Sequence, residues 1–306
     1  MCHNKSCPDC GSKRTRLVGR IPATDAFAGR RFSSSFWGGS LYRCQECYLG
    51  FRWPRMPKKR LELLYVRGSE HNWATTPELR RDWRIARSWI RTVYPSAARV
   101  LDVGCFDGGF LDLLGNSYQR YGIEIHPIAK NRLATRGIKI VAADIDELSV
   151  TRQPFDCITC FDVIEHLESP KSFLSQCVNA LKPSGHILIS TGNLDAPTFR
   201  FMGSRYWYCT NAEHISFISP EWCHRVAERM GLRVSQFTTF AHGSTDIESR
   251  VKDTVKNIFC KLMPSFFAYL RKQGWGNKNA REHPELAEHP PFWGSASDHF
   301  MVLMSR

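Results

Sequence analysis

Apolar and polar positions follow two periodicities along the chain, and together they predict an α/β protein. Between residues 98 and 240, short apolar runs alternate with stretches of helical periodicity, which is the pattern of βαβ units around a parallel sheet. The apolar run Phe300-Met301-Val302-Leu303 predicts a final strand. Residues 57–97 are predicted to be a helical linker, in which Thr76-Pro77-Glu78 is a helix start signal. Residues 241–298 are predicted to be a helical insertion.

Two of the predicted helices are amphipathic, and for each the question is whether the apolar face is covered by protein. In the first, Leu79, Trp83, Ala86 and Ile90 share an apolar face, and Arg80, Arg84, Arg87 and Arg91 form a second stripe that we expect to be solvated. In the second, which should kink at Met263-Pro264, the shared apolar face consists of Ile247, Val251, Val255, Ile258, Leu262 and Phe266. We expect this face to pack on the core. The alternative is a basic amphipathic helix in peripheral contact with a membrane.

Cysteines near the N-terminus occur in two pairs. Cys7-Pro8-Asp9-Cys10-Gly11 and Cys44-Gln45-Glu46-Cys47 each bring two sulfurs to one ion, and four thiolates give closed tetrahedral Zn²⁺ coordination. So small a module buries little apolar surface, so metal binding would supply much of its folding free energy. We therefore predict a structural zinc ribbon over residues 1–56, with Cys7, Cys10, Cys44 and Cys47 as ligands. Cys157 and Cys160 fall within an apolar strand and are expected in the core.

Composition narrows the setting. The chain has 306 residues, of which 42% are hydrophobic and 23% charged, as in a soluble globular protein with one large domain and one small one. It has no bilayer-spanning apolar run and no secretory h-region, so we expect a cytoplasmic protein. The net charge is +13, and residues 1–91 carry 19 Lys/Arg against 7 Asp/Glu. Such a positive field attracts polyanions, among them nucleic acids such as RNA, anionic lipid head groups and diphosphate-linked metabolites. The alternative is a well-solvated surface without a polyanionic partner. The sequence leaves the oligomeric state open.

The first apolar strand of the large domain leads into a candidate nucleotide site. Residues 99–103 run into a turn that contains Gly104 and Gly108, where small residues let the backbone approach a ligand at the carboxyl end of the strand. The second strand ends at Glu124, whose carboxylate can accept both hydroxyls of a ribose. The third is followed by Asp144, in position to reach an adenine amino group.

In order and spacing, these motifs resemble the class I S-adenosylmethionine-dependent methyltransferases, particularly the ubiquinone-type O-methyltransferases and the bacterial glycan-associated methyltransferases. The fourth strand, which ends at Phe161-Asp162, and the turn Pro183-Ser184-Gly185 before a fifth strand belong to the same series. The resemblance covers roughly residues 98–240 and the final strand. It implies a Rossmann-like doubly wound sheet over residues 98–306 and S-adenosyl-L-methionine as cofactor. The cofactor-binding residues that it implies are Asp102, Gly104, Cys105, Gly108 and Phe161, with Glu124 for the ribose and Asp144 with Ile145 for the adenine. Phe106 stands where the family's loop usually has its middle glycine.

Acidic and histidine side chains follow the fourth strand. Asp162, Glu165 and His166 have the spacing of one face of a helical turn, and His214 lies in a second Glu-His pair downstream. Three hypotheses stay open. These four residues could bind a divalent cation, an arrangement similar to that of metal-assisted O-methyltransferases, including plant-type small-RNA 2′-O-methyltransferases. His166 could instead be a metal-free general base oriented by a carboxylate. The third hypothesis is a purely structural hydrogen-bonding pair.

The sequence thus predicts a methyltransferase, and an acid-histidine site suits a hydroxyl acceptor best. We expect O-methylation of a small-molecule or glycan hydroxyl. The alternatives are a sugar C-methyltransferase, which also carries an N-terminal four-cysteine unit, and an RNA 2′-O-methyltransferase. Residues 193–209 hold five aromatic side chains that could stack a sugar or base, or pack as a lid over the cofactor.

Overall fold

The computed structural model describes residues 5–28, 30–66, 80–125, 129–143, 147, 154–275 and 279–306. The chain divides into two compact units. We call the first the ribbon unit, which comprises Met1–Ser69, Asn193–Phe217 and Ala241–Asp298. We call the second the sheet unit, which comprises Glu70–Gly192, Ile218–Phe240 and His299–Arg306.

Strands and helices alternate through most of the chain. The strands are β1 (Thr15–Arg20), β2 (Thr24–Phe27), β3 (Arg30–Phe36), β4 (Ser40–Cys44), β5 (Gly50–Trp53), β6 (Arg99–Val103), β7 (Gln119–Ile123), β8 (Lys139–Ala142), β9 (Phe155–Phe161), β10 (Leu181–Gly192), β11 (Ser216–Phe217), β12 (Arg233–Phe240) and β13 (His299–Ser305). The α-helices are α1 (Lys58–Val66), α2 (Arg81–Val93), α3 (Gly109–Leu114), α4 (Ala129–Thr135), α5 (Pro170–Ala180), α6 (Pro197–Met202), α7 (Pro220–Arg229), α8 (Ile247–Leu262), α9 (Pro264–Lys272) and α10 (Asn279–Glu282). Short 3₁₀ helices lie at Ile164–His166, Gly203–Arg205, Trp207–Thr210 and Pro284–Glu288. Across the described helices, none has the combination of length and apolar character that crossing a bilayer requires.

The sheet unit is built on a seven-stranded sheet in the order β12-β13-β10-β9-β6-β7-β8. Strands β10, β9, β6, β7 and β8 pair in parallel, whereas β13 pairs antiparallel with both β10 and β12. The strand order reverses between β6 and β9, so the carboxyl ends of these two strands flank the switch point at which doubly wound sheets bind ligands. The predicted α/β doubly wound fold is confirmed.

Capping residues fix where two helices of this unit begin. The hydroxyl oxygen of Ser169 accepts a hydrogen bond from the Ser172 N–H at the start of α5, and that of Ser219 accepts one from the Trp222 N–H at the start of α7. In both helices a proline follows the cap, at a position where a missing N–H costs nothing. The core beneath the helices includes the buried thiols of Cys157 and Cys160, as expected for that strand.

Helix α2 confirms one sequence prediction and corrects another. Trp83, Ala86 and Ile90 are buried in the main core of the sheet unit, as the apolar face predicts. Leu79 and the start signal Thr76-Pro77-Glu78 lie outside the described residues. The arginine stripe was expected to be solvated throughout, but this expectation is wrong at Arg80, whose guanidinium is paired with carboxylates.

The ribbon unit contains a four-stranded sheet in the order β1-β4-β5-β11 and a separate β2-β3 hairpin. The short strand β11 comes from far downstream in the chain and pairs antiparallel with β5, Ser216 opposite Phe51. An aromatic core lies in the same unit, and its largest members are Phe199, Tyr206, Tyr208, Phe217, Phe267 and Trp293. The N-terminal ribbon strands are therefore completed by a segment that the sequence pattern assigned to the methyltransferase domain.

The insertion is helical, as predicted, and its long helix breaks at Met263-Pro264 to give α8 and α9. The face that packs inward on α8 is polar and thiol-bearing, with Asn257 and Cys260 fully buried. The apolar face, expected to pack on the core, is instead exposed: Ile247 is 82% and Leu262 70% accessible. The periodicity correctly indicated an amphipathic helix, but the core-packing expectation for that face is wrong.

Candidate functional site

The loop after β6 is held in a left-handed conformation at three positions. Gly104 has φ 71° and Gly108 φ 82°, values that residues with a Cβ atom rarely adopt. A Cβ on Gly104 would lie 2.5 Å from Cγ2 of Val163, so the close approach of the two segments requires glycine there. Phe106, in place of the family's middle glycine, has φ 45°. The loop therefore keeps a left-handed backbone at this position despite the bulky side chain.

Glu124 follows β7 and closes this loop from the neighbouring strand. Its carboxylate is buried, and Oε2 accepts a hydrogen bond of 2.8 Å from the backbone N–H of Phe106. This bond connects Phe106, with its left-handed backbone, directly to the acid that was predicted to bind the ribose. Asp144 and Ile145, assigned to the adenine, lie outside the described residues.

Asp102, on β6, carries a buried carboxylate at the centre of the sheet. Burial raises the pKa of Asp102 to about 7, although the hydroxyl of Thr159 donates a hydrogen bond of 2.7 Å to it and lowers the pKa in part. Cys105, next to Gly104, is buried as well, and burial raises the pKa of its thiol. Phe161, also assigned to the cofactor, packs against Phe110 with ring centroids 4.5 Å apart and the rings tilted by 56°.

A cluster around Arg80 was missed by the sequence analysis. The guanidinium of Arg80 contacts the carboxylates of Asp82 at 2.5 Å and Asp162 at 2.8 Å. Burial by itself lowers the pKa of Arg80, but the two carboxylates outweigh it and raise the pKa above its usual range. A ring nitrogen of His299 also lies within 4.8 Å of a carboxylate oxygen of Asp162. No local spacing signals this cluster, because its members come from α2, the end of β9 and β13.

Glu165 and His166 lie in the 3₁₀ turn Ile164–His166, just beyond β9. The Glu165 carboxylate is 1% exposed and accepts a hydrogen bond of 2.9 Å from the Thr191 hydroxyl. An oxygen of Glu165 and a ring nitrogen of His166 lie within 4.8 Å of each other. Asp162 was expected on the same helical face, and here the expectation is wrong. Asp162 precedes the turn with φ 52° and lies among Arg80 and His299 instead.

His214, in the ribbon unit, is fixed by its own surroundings. Its Nδ1 lies 3.0 Å from the carbonyl oxygen of Tyr208, and the two rings are 4.2 Å apart. Because a carbonyl only accepts hydrogen bonds, Nδ1 is the donor in this contact. The guanidinium of Arg52 donates to the carbonyl oxygens of Gly38, Cys209, Asn211 and His214. Burial lowers the pKa of Arg52 to about 10.

The aromatic residues of 193–209 mostly build the ribbon unit's own core. Phe199, Tyr206 and Tyr208 are at most 4% exposed, and Trp207 donates a hydrogen bond to the Asp298 carboxylate. The Asp298 carboxylate also accepts a bond from the Tyr206 hydroxyl. Buried rings of this kind cannot stack a substrate, whereas Phe201 is 41% exposed and Trp207 is only partly buried.

The four predicted zinc ligands come together. Cys7 Sγ lies 3.5 Å from Cys47 Sγ, and Cys10 Sγ lies 3.6 Å from Cys44 Sγ. All four sulfurs lie within 4.8 Å of one another. A Zn–S bond of ~2.3 Å in a tetrahedron requires sulfurs about 3.8 Å apart, so this donor set fits Zn²⁺. The thiol of Cys47 stabilises the charged form of Cys7 and lowers its pKa to about 6.

Comparisons with known proteins cover the middle of the chain. A family described as "Methyltransferase domain" matches residues 78–236. A ubiquinone biosynthesis O-methyltransferase of Ralstonia nicotianae is 30% identical over 167 residues, which are 48% of this chain and 68% of that protein. One of Alkalilimnicola ehrlichii is 30% identical over 35% of this chain and 48% of its own length. The chain thus spans about half to two thirds of these relatives.

A solved structure of the N-methyltransferase NodS from Bradyrhizobium japonicum, in complex with S-adenosyl-L-homocysteine, is also similar. It aligns with a TM-score of 0.48 and 15% identity, covering 81% of this chain and 97% of that one.

Proposed function

Since the chain belongs to the methyltransferase domain family and is an S-adenosylmethionine-dependent methyltransferase of class I, we propose that it methylates a hydroxyl group of a small molecule or glycan. The observation that carries this proposal is the Glu165-His166 turn, in which a buried carboxylate lies next to a half-buried imidazole just beyond β9. Two relatives at 30% identity are named as O-methyltransferases, which also supports oxygen as the acceptor.

The residues at the carboxyl ends of β6 and β7 fit the cofactor by their chemistry. S-adenosylmethionine has a ribose, a cationic sulfonium and a methionine tail with both an ammonium and a carboxylate. Asp102 and Glu124 are acceptors for its hydroxyl and ammonium groups, and the glycine backbone at Gly104 permits close approach. We propose Asp102, Glu124 and Gly104 as its binding site, with Gly108 and Cys105 in the same loop.

The bound cofactor supplies an electrophilic methyl group, so the protein has to orient the acceptor, exclude water and remove one proton. We propose that His166 accepts the hydroxyl proton as general base. The Glu165 carboxylate, held by Thr191, stabilises the imidazolium that forms. His166 then releases the proton to solvent, since its ring is only half-buried.

A divalent cation held by Asp162, Glu165, His166 and His214 is the competing proposal. The ion pair between Asp162 and Arg80 weakens it, because a carboxylate already neutralised by a guanidinium is a poorer metal ligand. The predicted role of His214 as a fourth ligand would fall to its Nε2, since Nδ1 faces the carbonyl oxygen of Tyr208 at 3.0 Å.

The ribbon holds a structural role in this proposal. We propose one Zn²⁺ bound by Cys7, Cys10, Cys44 and Cys47, which as a closed four-sulfur site has no open position for substrate. The ribbon strands also hold the segment that carries His214. Arg52 of β5 donates to four carbonyl oxygens, and three of them lie in residues 209–214.

The acceptor class can be tested with the full chain and methyl-labelled S-adenosylmethionine, incubated with fractionated small-molecule, glycan and RNA extracts. Label that appears in a small molecule or glycan, on an oxygen identified by fragmentation mass spectrometry, supports the proposal. Label on a sugar carbon would favour the C-methyltransferase alternative, and label on RNA ribose would favour the 2′-O-methyltransferase.

A further inference from the structure

The two insertion helices α8 and α9 expose a continuous apolar surface. Five side chains recur along one side of α8, and the surface continues over the Met263-Pro264 break onto α9. We call it the insertion stripe, and its members are Ile247, Val251, Val255, Ile258, Leu262, Met263, Phe266 and Tyr269, which are between 38% and 82% exposed. Phe201 of α6 adjoins it, because the Lys261 ammonium lies over its ring at 5.8 Å.

The stripe is presented by helices that are anchored on their other side. Asn257 and Cys260 are fully buried on the inner face of α8, and Asp253 accepts hydrogen bonds from the backbone and hydroxyl of Ser295. On α9, Phe267 is buried and packs edge-on against Phe259. The helix face that points outward is therefore fixed by the fold, and solvent exposure of the stripe is not a result of loose packing.

Basic residues lie on both sides of the stripe. On a helical wheel, Arg250 and Lys261 flank one edge of the α8 apolar face, and Lys252 and Lys256 lie beyond the other. Residues 247–272 contain six Lys/Arg, of which Arg271 is buried, and two Asp/Glu. An exposed apolar face bordered by cations is the arrangement of helices that lie in the interface of an anionic membrane, with cations at the headgroups and apolar side chains among the acyl chains.

We propose that the insertion stripe docks the protein on an anionic lipid surface, with α8 and α9 in the plane of the interface. This surface lies outside the residues matched by the methyltransferase family, and the proposal does not depend on the acceptor. The charge pattern argues against a second copy of the chain as the occupant, because two such faces would bring like charges together across an apolar contact. The aromatic rings of Phe266 and Tyr269 suit the interfacial depth.

Sedimentation of the full-length protein with vesicles tests this. We expect binding to vesicles of mixed phosphatidylcholine and phosphatidylglycerol, and at least ~tenfold less binding when Leu262→Glu disrupts the stripe. The matched control is Leu63→Glu, which places the same charge at another exposed helical leucine (61% accessible) and should bind as the wild type does. Replacing Arg250, Lys252 and Lys261 by Gln should reduce binding to the mixed vesicles by about fivefold for each cation removed, and should leave binding to pure phosphatidylcholine unchanged.

Insertion depth is a second measurement on the same surface. The wild type has nine tryptophans, so the difference in emission between Phe266→Trp and the wild type is the readout: it should move to shorter wavelength with vesicles and be quenched by brominated acyl chains. Equal sedimentation of Leu262→Glu and the wild type would overturn the proposal. It would be overturned as well if the wild type ignored vesicles and Leu262→Glu converted a dimer to a monomer in analytical ultracentrifugation, which would make a second copy the occupant.

Discussion

The guanidinium of Arg52 donates a hydrogen bond of 2.9 Å to the backbone carbonyl oxygen of His214, a residue 162 positions away in the sequence. The same side chain donates to three further carbonyls and has 5% of its surface exposed. A strand of the ribbon sheet thereby fixes the backbone of a candidate catalytic histidine.

Arg52→Met should lower the free energy of unfolding by about 3 kcal/mol, because it leaves four carbonyl oxygens without a charged donor. Denaturant unfolding measures this. Arg16→Ala, at an exposed position on β1, is the control and should change the free energy by less than about 0.5 kcal/mol. Equal stability of the two variants would mean that the carbonyl contacts contribute nothing.

Purified protein should contain about one equivalent of zinc, because four thiolates converge within bonding reach of one ion. Cys7→Ser with Cys10→Ser should abolish it in elemental analysis, and far-ultraviolet circular dichroism should report loss of ribbon structure. Cys223→Ala changes a buried cysteine of the sheet unit and should keep the metal. A metal-free protein with an intact ribbon would contradict this prediction.

Glu124→Ala should weaken S-adenosylmethionine binding by ~1.5–3 kcal/mol, the range for hydrogen bonds that involve a charged group. Titration calorimetry measures it. In Glu124→Gln, an amide oxygen can still accept from the Phe106 N–H, so the loop is preserved while the charge is lost. The Gln variant should therefore bind more tightly than the Ala variant and less tightly than the wild type. If all three affinities agree, the ribose site has been assigned to the wrong residue.

His166→Ala should lower turnover by ~10²–10⁴ with little effect on cofactor affinity, since a positioned base contributes to the chemical step alone. His214→Ala and a chelator separate the mechanisms. A chelator-insensitive wild type supports the base mechanism. Silencing by chelator, reversal by Mg²⁺ and impairment of both histidine variants would replace it with the metal mechanism. Full activity of His166→Ala would leave only a structural role.

The raised pKa of Asp102 predicts the sign of a pH effect on stability. The folded state holds a proton on Asp102 up to pH about 7, whereas an unfolded Asp loses it near pH ~4. Between these values the folded state binds more protons, so the free energy of unfolding falls as pH rises. Asp102→Asn cannot ionise and keeps an acceptor for Thr159. Between about pH 5 and about pH 8, the wild type should lose roughly 2–3 kcal/mol more stability than this variant in denaturant titrations. Parallel pH profiles would contradict the assignment.

The features that the sequence predicted correctly are local ones. The alternation of strands and helices, the glycine-containing turn at Gly104 and Gly108, the buried cysteines of β9 and the break at Pro264 each depend on a few neighbouring residues. The two cysteine pairs are local features as well. Tetrahedral coordination of one ion then predicts that their four sulfurs lie together.

Non-local features were not predictable in this way. The cluster of Arg80, Asp82, Asp162 and His299 unites distant segments, and no spacing in the sequence marks them as neighbours. The periodicity of α8 identified an apolar face, but periodicity does not say whether protein or solvent covers that face. Spacing also does not reveal backbone conformation. Asp162 has a left-handed backbone, which removes it from the helical face that its spacing suggested.

Strand β11 has a consequence for the order of events during synthesis. Residues 216–217 pair with β5, so the β5 edge of the N-terminal sheet stays unpaired while the ribosome makes all five parallel strands, β6 to β10. Until that segment emerges, the backbone N–H and C=O groups of β5 have no strand partner on this side and offer an edge to other chains. Early metal capture by the cysteines would keep the nascent ribbon in register during this interval, and a cell short of zinc should accumulate aggregated chains rather than an inactive soluble enzyme.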